Sequence, residues 1–384
     1  MRLLYLLNIS NPGRLSADSG FTFADLLTPA LADAGVDVTV AAPAPAGDAR
    51  VGFAPTVSPS TKYRARLDPG LDALVALIRR VKPEVVVANQ VEAAPAIRAA
   101  LLEAGTDARI AGYCHYLPFS FTDDGDLELD PSMDDGGLGR PVLLAFAAGL
   151  AACDRVLVHS ATAAAWTTAA AEDMGVDLAE KLHIVPAPRD ERLVRDPADV
   201  PPPDGRAAAI YNHRLYAHYG TARFTALARR LTADAPVGLT VMDLFGTRSP
   251  ERVRLDPSPE RHRDELAALP GVTIASDRGD RVRYRDLLAG SHFGIAPFRP
   301  GCPWSMSVVD CQGMGLPVIA PRTGWLAEHI DDDLLFDTDE EAVQIAARLA
   351  TDGEFYRVHT KRAHASTTDF APTAVAARYL EAIA

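Results

Sequence analysis

The chain has 384 residues, of which 48% are hydrophobic and 23% charged, and its formal net charge is −13 at pH 7. This composition is that of a soluble globular protein, and the length suggests two or three domains of roughly 100–200 residues each. The negative net charge argues against a large polyanionic partner, because proteins that bind nucleic acid normally present a basic face. We therefore expect small-molecule partners rather than nucleic acid.

The sequence also lacks the features of membrane proteins, of secreted proteins and of proteins stabilised by zinc sites or disulfides. No apolar run reaches the roughly 20 residues that a bilayer span needs. The N-terminal MRLLYLLNIS has no basic region or small-residue cleavage site, so it is expected to be a first buried strand. Four widely spaced cysteines without a C-x-x-C pair predict neither a zinc site nor a disulfide framework. We place the protein in a reducing cytoplasm.

The first half of the chain alternates predicted strands and helices, which indicates a parallel sheet covered by helices. Residues 43–67 are expected to be loop, because they are rich in proline, alanine and glycine. Strands are predicted at 3–9, 37–42, 84–88, 109–113, 155–159 and 183–186, and helices at 21–34, 71–81, 93–104, 141–152 and 161–174.

Two turns in this half follow predicted strands, where active-site groups collect in such sheets. Asp18, Ser19 and Gly20 either approach a ligand with their backbone or form a simple strand-to-helix turn. The loop that they close is not a G-x-G-x-x-G dinucleotide fingerprint. His115 and Tyr116 follow the strand 109–113. A histidine there hydrogen-bonds a substrate hydroxyl, shuttles a proton, or is simply packed against backbone.

Residues 123–135 (DDGDLELDPSMDD) form a strongly acidic segment. Carboxylates can bind magnesium or calcium, but the spacing matches no calcium loop. We expect a solvated loop, which could cover the crevice as a lid, rather than a metal site.

Residues 195–205 (RDPADVPPPDG) contain three successive prolines with acids and a glycine, which is typical of a linker. We therefore predict an N-terminal domain at 1–195, a linker at 196–205 and a C-terminal domain at 206–365. The last helix, 366–384, is expected to cross back to the N-terminal domain. In the second half, strands are predicted at 207–211, 238–244, 272–276, 293–298, 317–320 and 334–336, and helices at 222–231, 284–289, 305–314, 323–330, 340–351, 353–364 and from 371 onward.

The stretch 293–320 is predicted to be a strand, a Pro/Gly-rich turn, a helix and a second strand. Ser305 is expected to cap the helix, which leaves the amides of Met306, Ser307 and Val308 free at its positive end. Free amides at a helix start suit a phosphate, and Asp310 in the same helix could reach a sugar hydroxyl. The alternative is an ordinary buried βαβ unit with a capped helix.

Several of these segments resemble retaining glycosyltransferases with the GT-B fold, of the GT4-like group. The resemblance covers most of the chain and rests on Ala151–Trp166, Glu180–Leu193, Ala209–Gly220 and the stretch 293–320. It implies two Rossmann-like α/β domains facing each other across a cleft. The N-terminal domain would bind the acceptor and the C-terminal domain the nucleotide-sugar donor. The triplet Asn-His-Arg at 212–214 resembles the branch that mannosylates the queuosine nucleoside in tRNA.

The resemblance also implies roles for single residues. Arg214 falls on the family's diphosphate-binding arginine, and Tyr219 stands where the family has a lysine. Asp310 falls on the second carboxylate of the E-x7-E region, and Cys302 stands in place of the first. His115 matches a histidine that touches the donor sugar, and with Arg214 it is the expected catalytic pair.

The ligand-binding residues are predicted from the resemblance, from the positions that follow predicted strands and from the start of the helix 305–314. The donor is expected to contact Gly20, Asn212, His213, Arg214, Tyr219, Cys302, Trp304, Ser305, Met306, Ser307 and Asp310. The acceptor is expected to contact Asp18, Ser19, His115 and Tyr116.

The implied reaction is retaining transfer of a hexose from a GDP- or UDP-sugar to a hydroxyl of a small acceptor. We expect a nucleoside or nucleoside-like natural product as acceptor, and neither a cofactor nor a required metal. One alternative is a tRNA-queuosine-type mannosyltransferase. Another is a catalytically silent GT-B nucleotide-binding protein, which the departures at Cys302 and Tyr219 suggest. The oligomeric state is left open.

Overall fold

The fold is described from a computed structural model, for residues 1–7, 9, 18–45, 47–57, 62–122, 125–129, 137–243, 256–299 and 301–384. The chain forms two compact units. The first unit comprises Met1–Pro188 and Pro372–Ala384, and the second comprises Arg189–Ala371. Within the described part of the chain, every helix is too short or too polar to span a bilayer.

The first unit is built on a parallel sheet in the order β3-β2-β1-β4-β5-β8-β9, with a separate antiparallel hairpin of β6 and β7. Its strands are β1 (Arg2–Leu6), β2 (Asp37–Ala42), β3 (Gly52–Pro55), β4 (Val85–Ala88), β5 (Arg109–Tyr113), β6 (Phe119–Phe121), β7 (Leu127–Leu129), β8 (Arg155–Val158) and β9 (Leu182–Ile184). Its helices are α1 (Ser19–Asp33), α2 (Lys62–Leu67), α3 (Leu71–Val81), α4 (Ala94–Ala104), α5 (Gly139–Ala152), α6 (Ala161–Glu172) and the C-terminal helix Pro372–Ile383.

The central strands of this sheet are covered on both faces, so their residues form continuous apolar runs. All four residues of β4 (VVVA) are buried, and Leu3 of β1 pairs with Val38 on one side and Val85 on the other. The C-terminal helix packs on this unit, where the ring of Tyr379 lies parallel to that of Tyr113 at a centroid distance of 6.2 Å.

The second unit has its own parallel sheet, in the order β12-β11-β10-β13-β14-β15. Its strands are β10 (Ala207–Tyr211), β11 (Val237–Met242), β12 (Val272–Ala275), β13 (Phe293–Ile295), β14 (Val318–Pro321) and β15 (Leu335–Phe336). Its helices are α7 (Thr221–Asp234), α8 (Ser258–Ala267), α9 (Arg281–Ala289), α10 (Met306–Gly313), α11 (Gly324–His329), α12 (Asp339–Thr351) and α13 (Gly353–Ser366). The C-terminal helix of the first unit, Pro372–Ile383, is α14.

Both sheets reverse their strand order beside their first strand. In the first unit the reversal lies between β1 and β4, and in the second between β10 and β13. Ligands of open α/β sheets bind beyond the carboxyl ends of the strands at such a switch point. The topology therefore marks one candidate binding edge in each unit.

Four regions differ from the sequence prediction. Residues 43–67 are not all loop, since they contain β3 and α2, and α8 was not predicted. The predicted linker 196–205 packs on the second unit, because Val200 is buried in its core and the Arg195 amide donates to the Gly313 carbonyl oxygen (3.1 Å). The structure places the change of unit at Pro188–Arg189 instead. The acidic segment contains β7, and its residues 123–124 and 130–135 lie outside the described part of the chain.

Candidate active site

The switch point of the second sheet brings two predicted loops together. Asn212 directly follows β10, and its Nδ2 atom donates to the Ser307 carbonyl oxygen at the start of α10 (3.0 Å). Further along the same loop, a Cβ atom on Gly220 would lie 2.3 Å from the carbonyl oxygen of Phe298, so only glycine fits there. The half-buried Arg214 lies two residues after Asn212 in this loop. The loop with the predicted diphosphate arginine therefore packs beside the helix with the predicted phosphate amides.

The start of α10 offers backbone donors, as the sequence predicts. Ser305 is the residue before the helix and has an extended backbone, with φ −148° and ψ 111°. Its hydroxyl makes no capping hydrogen bond, so the expected side-chain cap is absent. Within the described chain, the amides of Met306, Ser307 and Val308 have no hydrogen-bond acceptor. Three free amides at the positive end of a helix dipole can bind an anion.

The turn before α10 is held in an unusual backbone conformation. Cys302 has a φ of +31°, and its carbonyl oxygen accepts a hydrogen bond from the Trp325 amide (3.1 Å). A Cβ atom on Gly324 would lie 1.5 Å from the carbonyl oxygen of Gly301, so this contact requires glycine. Burial raises the pKa of the Cys302 thiol to about 12. The position therefore carries a neutral buried thiol instead of a carboxylate, and Trp304 beside it is half-buried against the core.

Asp310 is buried and belongs to a polar network that the sequence analysis did not find. The Tyr284 hydroxyl donates to its Oδ2 atom (3.0 Å), and Arg281 Nη2 lies 3.4 Å from Oδ1. Arg281 Nε also donates to Asp190 Oδ2 (2.8 Å), and Arg192 forms a second pair with Asp190. The guanidinium of Arg281 thus bridges two buried carboxylates that lie 120 residues apart in the sequence (310 − 190).

The pKa values of the two carboxylates in this network are shifted in opposite directions. Burial raises the pKa of Asp310 above its usual value, and the nearby Arg281 opposes the rise. Burial also disfavours the charged form of Asp190, but hydrogen bonds from Arg192 and Arg281 outweigh it and lower its pKa. The pKa of Arg281 is raised, because its two carboxylate partners outweigh its own burial. Arg281 is therefore a fixed positive charge beside α10. We call the start of α10, Asp310 and the loop with Arg214 the candidate donor site.

Asn212 and His213 point inward and contact protein groups. Besides Ser307, Asn212 Nδ2 donates to the Tyr284 hydroxyl (2.8 Å), while its Oδ1 atom is buried with no partner in the described chain. His213 Nε2 lies 3.1 Å from the Ile295 carbonyl oxygen, and burial lowers its pKa to about 3. These contacts join the ends of β10 and β13. Tyr219 is half-buried in the same loop, with its ring 4.8 Å from that of His218.

The switch point of the first sheet also has a small polar pocket of about 120 Å³. It brings together the residues predicted there, since Asp18, Ser19, Gly20, His115 and Tyr116 all line it. The Asp18 carboxylate caps α1 by accepting from the Phe21 amide (3.0 Å).

His115 lies in this pocket as a neutral imidazole. Its Nε2 atom is 3.5 Å from the Tyr5 hydroxyl, and its ring stacks on Tyr113 at 4.3 Å. Burial lowers its pKa to about 3. An imidazole with so low a pKa is a weak base at neutral pH, so a hydrogen bond to a substrate hydroxyl suits it better than proton shuttling.

The pocket also contains residues that were not predicted from the sequence, among them Arg66, Glu92, Asn89 and Gln90. Arg66 and Glu92 form a buried ion pair, and the Arg66 guanidinium lies 5.2 Å from the centre of the Tyr116 ring. Asn89 and Gln90 follow β4, and a Cβ atom on Gly20 would lie 2.8 Å from Asn89 Nδ2. Asn89 and Gln90 could have been predicted from the sequence, because they are two polar residues directly after the apolar run VVVA.

Among the described residues, one group of side chains could hold a metal ion. The ligand atoms of Asp331, Asp333 and His359 all lie within 4.8 Å of one another. These aspartates precede β15, at the opposite edge of the sheet from Ser305, and Arg362 Nη1 already pairs with Asp331 (2.7 Å). The group is therefore not part of the candidate donor site.

Comparison with known proteins gives a family match for part of the chain and a fold for nearly all of it. Residues 21–193 match the model of Glycosyltransferase Family 4. A search of curated protein sequences finds no match.

Solved structures with a similar fold cover nearly the whole chain. They include Anabaena Alr3699/HepE in complex with UDP and glucose, at 14% identity and a TM-score of 0.69 over 99% of this chain and 98% of that one. Sucrose-phosphate synthase from Thermosynechococcus elongatus has 16% identity and a TM-score of 0.74, with the same coverage. A UDP-forming α,α-trehalose-phosphate synthase from Burkholderia xenovorans has 12% identity and a TM-score of 0.68 over 100% and 98%.

These structures confirm the predicted α/β fold of the GT-B type with two Rossmann-like units. The chain therefore has a fold of the GT-B type, and its residues 21–193 match the model of Glycosyltransferase Family 4.

Proposed function

We propose that the chain transfers a hexose from a UDP-sugar to a hydroxyl of a small acceptor, with retention at the anomeric carbon. The observation that carries the proposal is the set of free amides at Met306, Ser307 and Val308, beside the loop that bears Arg214. UDP is preferred to GDP because HepE was solved with UDP and with UDP-glucose.

In the proposed reaction the acceptor oxygen forms a bond to the anomeric carbon of the sugar. The bond from that carbon to the β-phosphate oxygen breaks, and its electron pair leaves with UDP. The acceptor proton passes to a phosphate oxygen of the leaving UDP. Negative charge develops on the diphosphate, where Arg214 and the amides of Met306 and Ser307 would stabilise it in place.

The ribose of the donor is assigned to Asp310. Its two contacts with Arg281 are long, at 3.4 and 3.5 Å, so a ribose hydroxyl could donate to the same carboxylate while the ion pair stays in place. His115 is assigned to a hydrogen bond with a sugar or acceptor hydroxyl. No metal is given a role, because the guanidinium and the amides supply the charge stabilisation.

The role of the helix amides can be tested with a substitution that removes one of them. Met306→Pro removes one amide at the first position of α10, where proline fits because Ser305 before it is extended. We expect UDP affinity, measured by calorimetry, to fall about tenfold or more, by the roughly 1.5–3 kcal/mol of a charged hydrogen bond. Gly353→Pro makes the same change at the first position of α13, after the extended Asp352, and should leave UDP affinity unchanged. Unchanged affinity in correctly folded Met306→Pro would refute the phosphate site.

Arg214 is tested in the same way. Arg214→Ala should lower UDP affinity and turnover together, because one guanidinium contacts the diphosphate in the ground and transition states. Arg229→Ala, an exposed position on α7, is the control and should match the wild type. Normal turnover by Arg214→Ala would remove the arginine from the mechanism.

The proposed transfer has two candidate acceptor classes. A nucleoside or nucleoside-like natural product is one acceptor class, and a tRNA-queuosine-type mannosyltransferase is the alternative that the net charge of −13 disfavours. Filter binding to tRNA at low and moderate salt separates the two. The neutral thiol of Cys302 favours a third candidate, a catalytically silent nucleotide-binding protein. Mass spectrometry after incubation with UDP- and GDP-sugars and an acceptor panel would show no transfer product in that case.

A further inference from the structure

The first unit contains a second, larger cavity of about 480 Å³ beside the polar pocket. It lies at the same switch point, since Leu6 and Leu7 of the β1 end and Ala88 of the β4 end line it. Cavities of roughly 300–1,000 Å³ are the usual size for small-molecule sites. Asn89 and Gln90 line both cavities, so these two side chains form their common wall.

The wall of the larger cavity is mainly apolar. It is formed by leucine, isoleucine and alanine side chains, among them Leu7, Leu74, Leu77 and Ile97. Two of its charged groups, Arg64 and Asp68, lie at the exposed rim and pair with each other at 3.1 Å. A ligand with many polar groups would find few partners inside and would lose its hydration there.

Beside this ion pair, exposed apolar side chains lie near the mouth of the cavity. Within the described residues, Val57 is 94% exposed, Leu67 46% and Leu71 41%, all within one stretch of chain. Val57 lines the cavity itself, and Pro69 and Gly70 join Leu71 to it. Exposed apolar side chains grouped around a cavity mouth are typical of a ligand-binding site.

The common wall offers one open hydrogen-bond acceptor. Asn89 Oδ1 already accepts from the Tyr5 hydroxyl (3.2 Å), whereas Gln90 Oε1 is buried without a partner in the described chain. A buried polar atom without a partner costs free energy, which a ligand hydroxyl could recover.

We propose that the acceptor is an amphipathic small molecule whose apolar body fills this cavity and whose hydroxyl meets Gln90, next to the pocket of His115. The inference rests on the proposed glycosyl transfer and specifies its acceptor class. It excludes an unmodified nucleoside, because the ribose and base carry several polar groups and the apolar wall offers them few partners.

The test uses 2-naphthol, an apolar ring system with one hydroxyl, as the binding probe. Its fluorescence is titrated with the full chain in the presence of saturating UDP, so that the donor site is blocked. Ala73→Trp fills the cavity from an exposed position of α3, and Asp72→Trp adds the same side chain to the neighbouring exposed position that does not line the cavity. We expect Ala73→Trp to weaken 2-naphthol binding at least tenfold and Asp72→Trp to change it less than twofold.

A second variant tests the hydroxyl position. Gln90→Met removes the acceptor atom at similar volume, so it should abolish the preference of the protein for 2-naphthol over naphthalene. Equal binding by wild type and Ala73→Trp, or tighter binding of adenosine than of 2-naphthol, would overturn the proposal. UDP affinity is measured separately on the same protein preparations. If the wild type does not bind UDP, the proposed function is contradicted. If UDP binds normally but Ala73→Trp leaves 2-naphthol binding unchanged, only this inference is contradicted.

Discussion

The bridging role of Arg281 makes a quantitative prediction for Arg281→Met. Its guanidinium pairs with Asp190 at 2.8 Å and with Asp310 at 3.4 Å, and these carboxylate side chains are only 1% and 4% exposed. After the substitution Asp190 keeps its pair with Arg192, but Asp310 keeps only the hydrogen bond from Tyr284. The variant therefore leaves one buried carboxylate without a positive partner.

Removing one partner of a buried pair typically costs about 3–5 kcal/mol. Because the Arg281 side chain is 29% exposed, water can partly replace it, and we expect the low end, about 3 kcal/mol. For a unit of this size, that corresponds to a fall of about 6–12 °C in the melting temperature. Differential scanning calorimetry of the full chain at pH 7.5 measures the loss.

The loss should also depend on pH. Burial already raises the pKa of Asp310, and removing Arg281 takes away the effect that opposes the rise. A carboxyl whose folded pKa exceeds its unfolded value binds its proton first in the folded state, so the folded state gains stability as pH falls through that window. The deficit of Arg281→Met should therefore be largest at pH 7.5 and shrink toward pH 5.

Two controls separate this charge effect from packing. Arg281→Met with Asp310→Asn removes the unpaired charge and should recover most of the lost stability at pH 7.5. Arg230→Met breaks an exposed pair with Glu340 and should cost less than about 1 kcal/mol. A deficit that does not change with pH, or that the double variant does not reduce, would refute the reasoning.

Four further outcomes are expected. Gly324→Ala should destabilise the fold by more than about 1–3 kcal/mol and weaken UDP binding, because its Cβ would collide with the Gly301 carbonyl, whereas Gly353→Ala should be neutral in calorimetry. The buried cysteines have raised thiol pKa values, so Ellman's reagent should react slowly with native protein and fully after denaturation. His213 has a folded pKa of about 3, below its unfolded value, so stability is lost as pH falls from about 6.5; His213→Gln should flatten that slope in urea titrations by up to about 1.4 kcal/mol per pH unit. EDTA should leave the transfer rate unchanged, and a loss restored by a divalent metal would contradict a metal-free mechanism.

The regions that the sequence analysis missed are those with weak apolar patterns. β3 has one buried residue among four, and the helices α2 and α8 (KYRARL and SPERHRDELA) are rich in charged and polar residues. Their sequences lack a regular spacing of apolar residues, so local hydrophobic periodicity does not reveal them. The prolines at 201–203 indicated a linker, yet their neighbour Val200 is buried, because tertiary contacts can cover a segment without regular structure.

The amino-acid order alone determined the alternation of buried strands and helices, and with it the α/β class. It also determined which residues follow each strand, because apolar runs such as VVVA and the turn residues after them are local patterns. Tyr116, Gly20 and Asp18 were placed near His115 on this basis, and all four line one pocket.

Only the tertiary structure decided which strands are neighbours, and therefore which loops meet. The partners of Asp310 come from distant segments, at Arg281 and, through it, at Asp190. The apolar cavity beside Gln90 likewise exists only where four strands and three helices meet. Pairing between distant segments depends on how the whole core packs, and no local pattern records that choice.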